Sequence, residues 1–484
     1  MTPGKFSVVL RRDSDSPLIE LSPWYPPLER ILVYETQTFD PRNRYPVVEK
    51  KALFYKTDKD GMTVGYFPAG MLRRVVKCLR DAGCEMTAID DRDRSRYFPE
   101  PDLSAAGELR EGQQEVLDAI IKSDVGMIVC STGFGKSFII SALTMIYKKS
   151  RFLIIAPGIA ETENLYSRIA KLTNDVSMLG GGSPGSLDAR IIVSTSKSFH
   201  KVDMSKIDFV LFDEAHGCGN NKVSQTLLDN IRGSRIFGFT ASPKGRSDKA
   251  DMVMEALFGP PIIDFTYQDT QAMGNVTPIE VQLWDVPGEI PSSKSRFGNA
   301  MTQNRRRFYW NNAERNRLIK AIADSVPEDE QVLVMVDTVE HLIRLGSTMP
   351  DFALICGDGN DLAAEAKARK LPLTNRLGDT KEEYEKLVDE FRTGKLRRAI
   401  STFRWKQAVD FPELSVLIRG DGSKSAILAT QVPGRLSRLS PGKERGLLVD
   451  FIDRFNPSAM RKSLARIREY KEKGWTINRM GVFK

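Results

Sequence analysis

From residue 125 to residue 455 the chain alternates short, largely apolar runs with longer mixed stretches. Runs at 127–130, 152–156, 191–194, 208–212 and 236–239 form one block, and runs at 332–336, 352–355, 398–402, 415–418 and 446–451 form another. Short runs without polar alternation are the pattern of strands covered on both faces. Helical stretches between most of them predict parallel sheets, hence two similar doubly wound α/β domains in tandem. The blocks meet near residues 270–300, where Val286-Pro-Gly-Glu-Ile-Pro-Ser-Ser-Lys-Ser reads as loop. Residues 1–107 differ. Their strand-like runs and one helix, about Ala69 to Ala82, predict a small α+β module. Residues 458–484 read as a basic helix, Met460 to Lys473, and a short tail. The expected domains are therefore 1–107, 108–275, 276–457 and 458–484.

Composition narrows the class. The 484 residues suit two to four domains, and 41% hydrophobic content supports real cores. No apolar run approaches membrane-spanning length, and the start, Met-Thr-Pro-Gly-Lys-Phe, lacks the apolar segment of a signal peptide. The five cysteines, Cys78, Cys84, Cys130, Cys218 and Cys356, are scattered without zinc spacing, which suits a reducing cytoplasm. A net charge of +8 is compatible with a polyanionic partner but does not by itself select one.

The candidate chemistry begins at Cys130-Ser-Thr-Gly-Phe-Gly-Lys-Ser137, between a predicted strand and a predicted helix. Glycines there let backbone N–H groups turn towards an anion at a helix N-terminus. Lys136 would reach the β- and γ-phosphates of a nucleoside triphosphate, and the Ser137 hydroxyl would ligate Mg²⁺. The strict phosphate-loop pattern has glycine where Cys130 stands. Downstream by 77 residues from Lys136, the apolar run Ile207-Asp-Phe-Val-Leu-Phe212 ends in Asp213-Glu214-Ala-His216. A carboxylate at the C-terminal end of a parallel strand faces the ligand crevice. Asp213 would hold the metal and Glu214 would orient and deprotonate a water. His216 reads either as a polar loop residue or as a relay to the next motif.

In the second block, Gln431-Val-Pro-Gly-Arg435-Leu-Ser-Arg438 places two arginines three apart, on one helix face. Such a pair can neutralise charge on a γ-phosphate as an arginine finger does. Delivered from a second domain, it would make hydrolysis depend on domain closure.

The order and spacing of these pieces resemble a superfamily 2 helicase or translocase of the DEAH type, over about residues 108–455. The resemblance implies two RecA-like motor domains and an ATP and Mg²⁺ requirement. It assigns the phosphate loop to motif I, with Thr132, Gly133 and Gly135 also at the nucleotide. Leu109-Arg110-Glu-Gly-Gln113 resembles the upstream adenine-contacting element, with Arg110 and Gln113 its candidates and Gln113 the stronger. Asp213 to His216 is motif II, and Thr240-Ala-Ser242-Pro resembles motif III, where Thr240 and Ser242 with His216 would couple hydrolysis to nucleic-acid binding. Motif IV resembles Val334 to Thr338, and motif VI is Gln431 to Arg438. Motif V resembles Ser401-Thr402 followed by Gln407-Ala-Val-Asp410, with Ala408 where the family has glycine and Asp410 at the nucleotide.

Within the superfamily the layout is most similar to the UvsW-type bacteriophage DNA helicases and their XPB-like relatives. The features are Thr-Ala-Ser-Pro as third motif, Gly274-Asn-Val-Thr-Pro278 with Glu314-Arg-Asn-Arg317, and the N-terminal Tyr66-Phe-Pro-Ala-Gly70 with Ile89-Asp-Asp-Arg92. This resemblance implies remodelling of branched DNA (forks, Holliday junctions, R-loops) with 3′→5′ polarity, in replication, recombination or repair. Recombination or replication proteins would be partners, and a bacterial host cytoplasm the setting if the chain is phage-encoded. In the family, phosphate contacts fall at motifs Ia, Ib, IV and V, which here implicates Ser194, Thr195, Lys197, Thr338 and Thr402. Helix N-termini and hydroxyls there would grip the backbone without reading sequence. Arg305-Arg-Arg-Phe-Tyr-Trp310 suits single-strand stacking, but reads better as an interdomain helix with core aromatics and solvated arginines. Arg73, Arg74 and Lys77, and the terminal Arg461, Lys462, Arg466, Arg468 and Lys471, suit either a duplex contact or a solvated face. An RNA helicase and the duplex-translocating subunit of a restriction or defence assembly are the competing functions.

Overall fold

A computed structural model describes residues 6–482, apart from 14–15, 17, 39–46, 219–221, 232, 242–250, 293–299, 357–360, 403–410 and 424–432. Two compact units divide the chain: Met1–Ser131 with Gly135–Thr266, and Tyr267–Lys484 with Thr132–Phe134.

The first unit holds a seven-stranded sheet and the N-terminal module. In spatial order the strands are Val176–Leu179, Ile191–Thr195, Phe152–Ala156, Phe209–Asp213, Arg235–Thr240, Val125–Cys130 and Pro261–Phe265, all parallel. Five of them are the runs legible in the sequence, with ends that move by no more than two residues. Register aligns the motif ends. Asp213 pairs with Phe239, next to Thr240, and Thr240 pairs with Val129, next to Cys130. Three chemically marked strands thus finish side by side at the carboxyl edge of the sheet, where open α/β sheets bind ligands.

The N-terminal module is α+β as expected. A five-stranded sheet runs Tyr55–Lys59, Met62–Pro68, Leu18–Ser22, Ser7–Arg12, Glu85–Asp90, with a separate hairpin of Val33–Thr38 and Val47–Ala52. The predicted helix is a 3-10 turn, Ala69–Met71, leading into Leu72–Asp81. Its Val75 and Leu79 are fully buried against the sheet residues Val8, Leu10, Ile19 and Leu21. Charge joins this module to the motor sheet. Arg12 pairs with Asp124, Arg92 Nη1 donates to Asp124 Oδ1 (2.7 Å), and Arg96 Nε donates to Asp208 Oδ1 (2.7 Å). Arg74 is also committed, its Nε 3.0 Å from Glu255 Oε1, whereas Arg73 and Lys77 are exposed. Beneath the sheet, Arg235 is buried among the rings of Phe98, Tyr147, Phe209 and Phe237 and donates to the Ile121 and Ser123 carbonyls.

The second unit carries an eight-stranded parallel sheet: Leu377–Gly378, Ala353–Ile355, Arg398–Thr402, Gln331–Val336, Leu414–Arg419, Gly446–Asp453, Ile279–Val286, Thr476–Val482. The last strand comes from the segment read as a tail. It joins the sheet edge beside Ile279–Val286, and the helix Pro457–Glu472 packs back on the sheet. Terminal helix and tail therefore complete the second sheet.

Arg466, offered as a surface cation, is instead in the core with no exposure. It clasps Asp450 through two bonds of 2.8 and 2.9 Å, and Tyr470 Oη donates to the same carboxylate at 2.7 Å. Arg315–Asp453 (3.0 Å) and Arg419–Asp421 (2.8 Å) are equally buried beside it. Burial alone would push the Asp450 carboxyl up, but Arg466, Arg419 and the Tyr470 hydroxyl outweigh it and hold the group down at about 2. Sequence shows only the basic character of this helix. The carboxylates that claim Arg466 lie on another element. Arg461, Arg468 and Lys471 do remain exposed.

The segment Arg305–Trp310 follows its less dramatic reading. Phe308, Tyr309 and Trp310 are buried, while Arg305 and Arg306 pair with Asp337 and Glu340.

Candidate nucleotide-hydrolysis site

Two glycines shape the phosphate loop. Gly133 and Gly135 have φ of +99° and +103°, a region L-residues rarely adopt. Gly135 starts the helix Lys136–Ile146, so the helix N-terminus with its unpaired N–H groups opens onto the loop. A Cβ at Gly135 would come within 2.6 Å of Gln113 Nε2, so the glycine also admits the buried Gln113 side chain. Gln113 in turn accepts from the Arg110 N–H at 2.9 Å. Gln113 is thereby placed against the loop, whereas Arg110 is exposed and reaches Gln113 only through its backbone N–H.

Lys136 is 9% exposed, and its Nζ donates to the carbonyls of Cys130 (3.1 Å) and Ser131 (3.3 Å). The buried Ser131 hydroxyl has no hydrogen-bond partner among the described residues. A cationic amine, an unclaimed hydroxyl, turned glycines and a helix N-terminus fit a polyphosphate. Ser137 and Asp213 fit Mg²⁺, which favours one or two protein oxygens with phosphates and water completing its shell. Cys130 lies at the end of a buried strand, and burial pushes its thiol up to about 12. It serves as a small apolar residue and not as a nucleophile.

Asp213 is the electrostatic centre. Burial first, then the neighbouring Glu214 carboxylate, push its carboxyl up to about 7, against the opposing pull of Lys136 and the Glu214 N–H that donates to Asp213 Oδ1 at 3.1 Å. A carboxylate held this far up binds a divalent cation in exchange for a proton. Glu214 has φ of +52°, a left-handed conformation unusual for glutamate that turns the chain sharply into the 3-10 segment Ala215–Cys218. His216 Nδ1 lies 3.2 Å from Glu214 Oε2 and 3.3 Å from Thr240 Oγ1. The imidazole therefore lies between the second and third motifs. Ser242 lies outside the described residues.

In the second unit, Arg435 belongs to a 3-10 turn, Pro433–Ser437, and Arg438 N donates to Arg435 O at 3.2 Å. Arg438 stands just past the end of that turn. Arg435 is 9% exposed, over the Phe411 ring. Gln431 and Asp410 lie outside the described residues.

Among the expected phosphate-contacting residues, Ser194 is fully buried and donates to Thr195 O (3.1 Å), and Thr195 Oγ1 bonds Ser198 Oγ (3.0 Å). Lys197 is the exposed member of that strand end. Ser401 donates to Thr402 O (3.0 Å) in the same way at the end of Arg398–Thr402. Thr338 caps the helix Val339–Gly346 by accepting from His341 N.

Sequence reading overlooked Phe258. Its ring packs edge-on to Phe212 at 6.1 Å, immediately before Asp213. A Cβ on Gly238 would lie 2.8 Å from Phe258 Cγ and 2.9 Å from Ala215 Cβ. An apolar residue 45 positions beyond Asp213 gives no local signal of such a role.

Residues 106–245 match the family described as Type III restriction enzyme, res subunit. The DNA 3'-5' translocase XPB2 of Sulfurisphaera tokodaii is 23% identical over 379 residues, covering 73% of this chain and 84% of its own. S. cerevisiae Dbp5 bound to RNA and ADP BeF3 shares the fold at TM-score 0.54 and 14% identity, over 77% of this chain and 90% of that one. The crystal structure of T4 UvsW aligns along 99% of both chains at 15% identity and TM-score 0.43. In motif order and in its tandem parallel sheets the chain is similar to superfamily 2 helicases, and the family match over residues 106–245 with the XPB2 relative supports a nucleic-acid-dependent ATPase.

Proposed function

We propose that the protein is an ATP-dependent DNA helicase or translocase that remodels branched DNA, of the UvsW type. The observation that carries the motor reading is the Lys136–Asp213–Glu214–His216–Thr240 constellation at one sheet edge. DNA as the polymer is supported by the DNA translocase matched along most of its length. Mg²⁺-bound ATP supplies the phosphoanhydride whose hydrolysis drives motion. Lys136 and the loop N–H groups hold the phosphates, and Ser137 and Asp213 hold the metal. Glu214 accepts the proton of the attacking water, while His216 reports that event to Thr240. Arg435 and Arg438 neutralise phosphate charge, with Gln431 of the same motif beside them, and Thr132, Gly133, Gln113, Arg110 and Asp410 complete the nucleotide contacts. Lys197, Thr338, Thr402 and the backbone at Ser194 and Thr195 grip DNA phosphates. The setting is a cytoplasm. Among the described residues no helix is long and apolar enough to cross a membrane.

The restriction-subunit description of the matched family favours a second reading, translocation on duplex DNA without strand separation. Strand displacement on forked DNA, run beside third-strand displacement from linear duplex, separates the two. Release of a fork arm supports helicase action. Third-strand release alone supports the translocase, and neither activity with ATP sinks both.

A further inference from the structure

The helix Asp251–Phe258 has two committed faces. Met252, Glu255 and Ala256, spaced to fall on one side, meet the N-terminal module: Met252 and Ala256 join its apolar core, and Glu255 takes Arg74. The contact is close at the backbone. A Cβ on Gly70 would sit 2.1 Å from the Glu255 carbonyl oxygen and 2.5 Å from that of Ala256. The other face, Met254, Leu257 and Phe258, is in the core of the motor sheet. There Phe258 lies against Phe212, Gly238 and Ala215. Phe212 adjoins Asp213, Ala215 lies between Glu214 and His216, and Gly238 stands two residues before Thr240 on its strand. One helix of eight residues therefore touches both the N-terminal module and the backbone that aims the hydrolytic groups.

We propose that Phe258 is a positioning residue for ATP hydrolysis, and that through its helix the N-terminal module sets the turnover rate of the motor. A shift of the module, transmitted across the Gly70 backbone contact and the Arg74–Glu255 pair, moves a close-packed ring that presses on Phe212 and Gly238, beside Ala215. Close-packed interiors transmit such displacements because they hold no slack. The pairing of a missing Cβ at Gly70 with another at Gly238 supports this, since each permits a contact on opposite faces of the same helix. The inference rests on Asp213 and Glu214 being the hydrolytic groups.

The test uses the full-length protein with saturating DNA and compares wild type, Arg74→Glu, Glu255→Arg, the double charge exchange and Phe258→Leu. Expected are a fall in kcat of about three- to thirty-fold in Arg74→Glu, Glu255→Arg and Phe258→Leu, with KM for ATP unchanged, and recovery in the exchange. Arg74 is partly exposed, so its variants keep the test usable should Phe258→Leu fold poorly. Wild-type kcat in all three single variants would overturn the proposal, as would a kcat loss that the exchange does not repair. A Glu214→Gln control separates the two levels. If that variant hydrolyses ATP normally, the site assignment has failed. If it is inactive while the Arg74 and Phe258 variants are normal, only the coupling has failed.

Discussion

Replacing Asp213 by Asn should stabilise the first unit while abolishing its hydrolysis, and the gain should depend on pH. Burial and Glu214 push the Asp213 carboxyl from an ordinary 3.8 up to about 7. A raised carboxyl contributes stability fully present below its unfolded pKa and lost as pH rises through its folded one, so the cost accumulates between about pH 4 and 7. At 1.36 kcal/mol per unit, the shift corresponds to at most ~4 kcal/mol at pH 8. Asn is isosteric and uncharged, and its Oδ1 can still accept from the Glu214 N–H. For a unit of this size, 1 kcal/mol moves Tm by roughly 2–4 °C. Thermal unfolding without nucleotide should therefore show Asp213→Asn higher than wild type by several degrees at pH 8, the gap narrowing steadily towards pH 4. Equal Tm at pH 8, or a gap that widens on acidification, would refute the electrostatic reasoning.

Two further substitutions test other parts of the structure. Gly135→Ala places a Cβ at φ +103° and 2.6 Å from Gln113 Nε2, so it should weaken nucleotide binding by about 1–3 kcal/mol in a titration with a fluorescent ATP analogue, and unchanged binding would contradict the loop account. Arg466→Met leaves Asp450 buried and unpaired and should cost about 3–5 kcal/mol in chemical denaturation, whereas the exposed Arg461→Ala should cost under about 0.5. Equal effects of the two would return Arg466 to the surface role its sequence context suggested.

Much of the motor was legible because parallel strands covered on both faces leave unbroken apolar runs, and because phosphate chemistry demands glycines, a lysine and carboxylates at strand ends. Asp213, Lys136 and Thr240 were picked out this way, and register sets Asp213 and Thr240 beside the end of the strand that leads into the phosphate loop. What stayed hidden depends on distant partners. Thr476–Val482 becomes a strand only because an edge is open beside Ile279–Val286. Arg466 and Arg461 look alike in sequence, and only Asp450 distinguishes them. Ser194 resembles a surface hydroxyl until its strand is seen to be buried. Phe258 is one apolar residue among many until Gly238 and Gly70 show how closely its helix is held.

The proposed function has Glu214 drive ATP hydrolysis that nucleic acid, and branched DNA above all, switches on. The decisive measurement is the steady-state ATPase of wild type and Glu214→Gln with no polymer, fork DNA, linear duplex, single strands and RNA. The expected result is strongest stimulation by forks and a loss of about 10²–10⁴ in the variant, with ATP still bound. Hydrolysis indifferent to every polymer, or undiminished in Glu214→Gln, would contradict the claim.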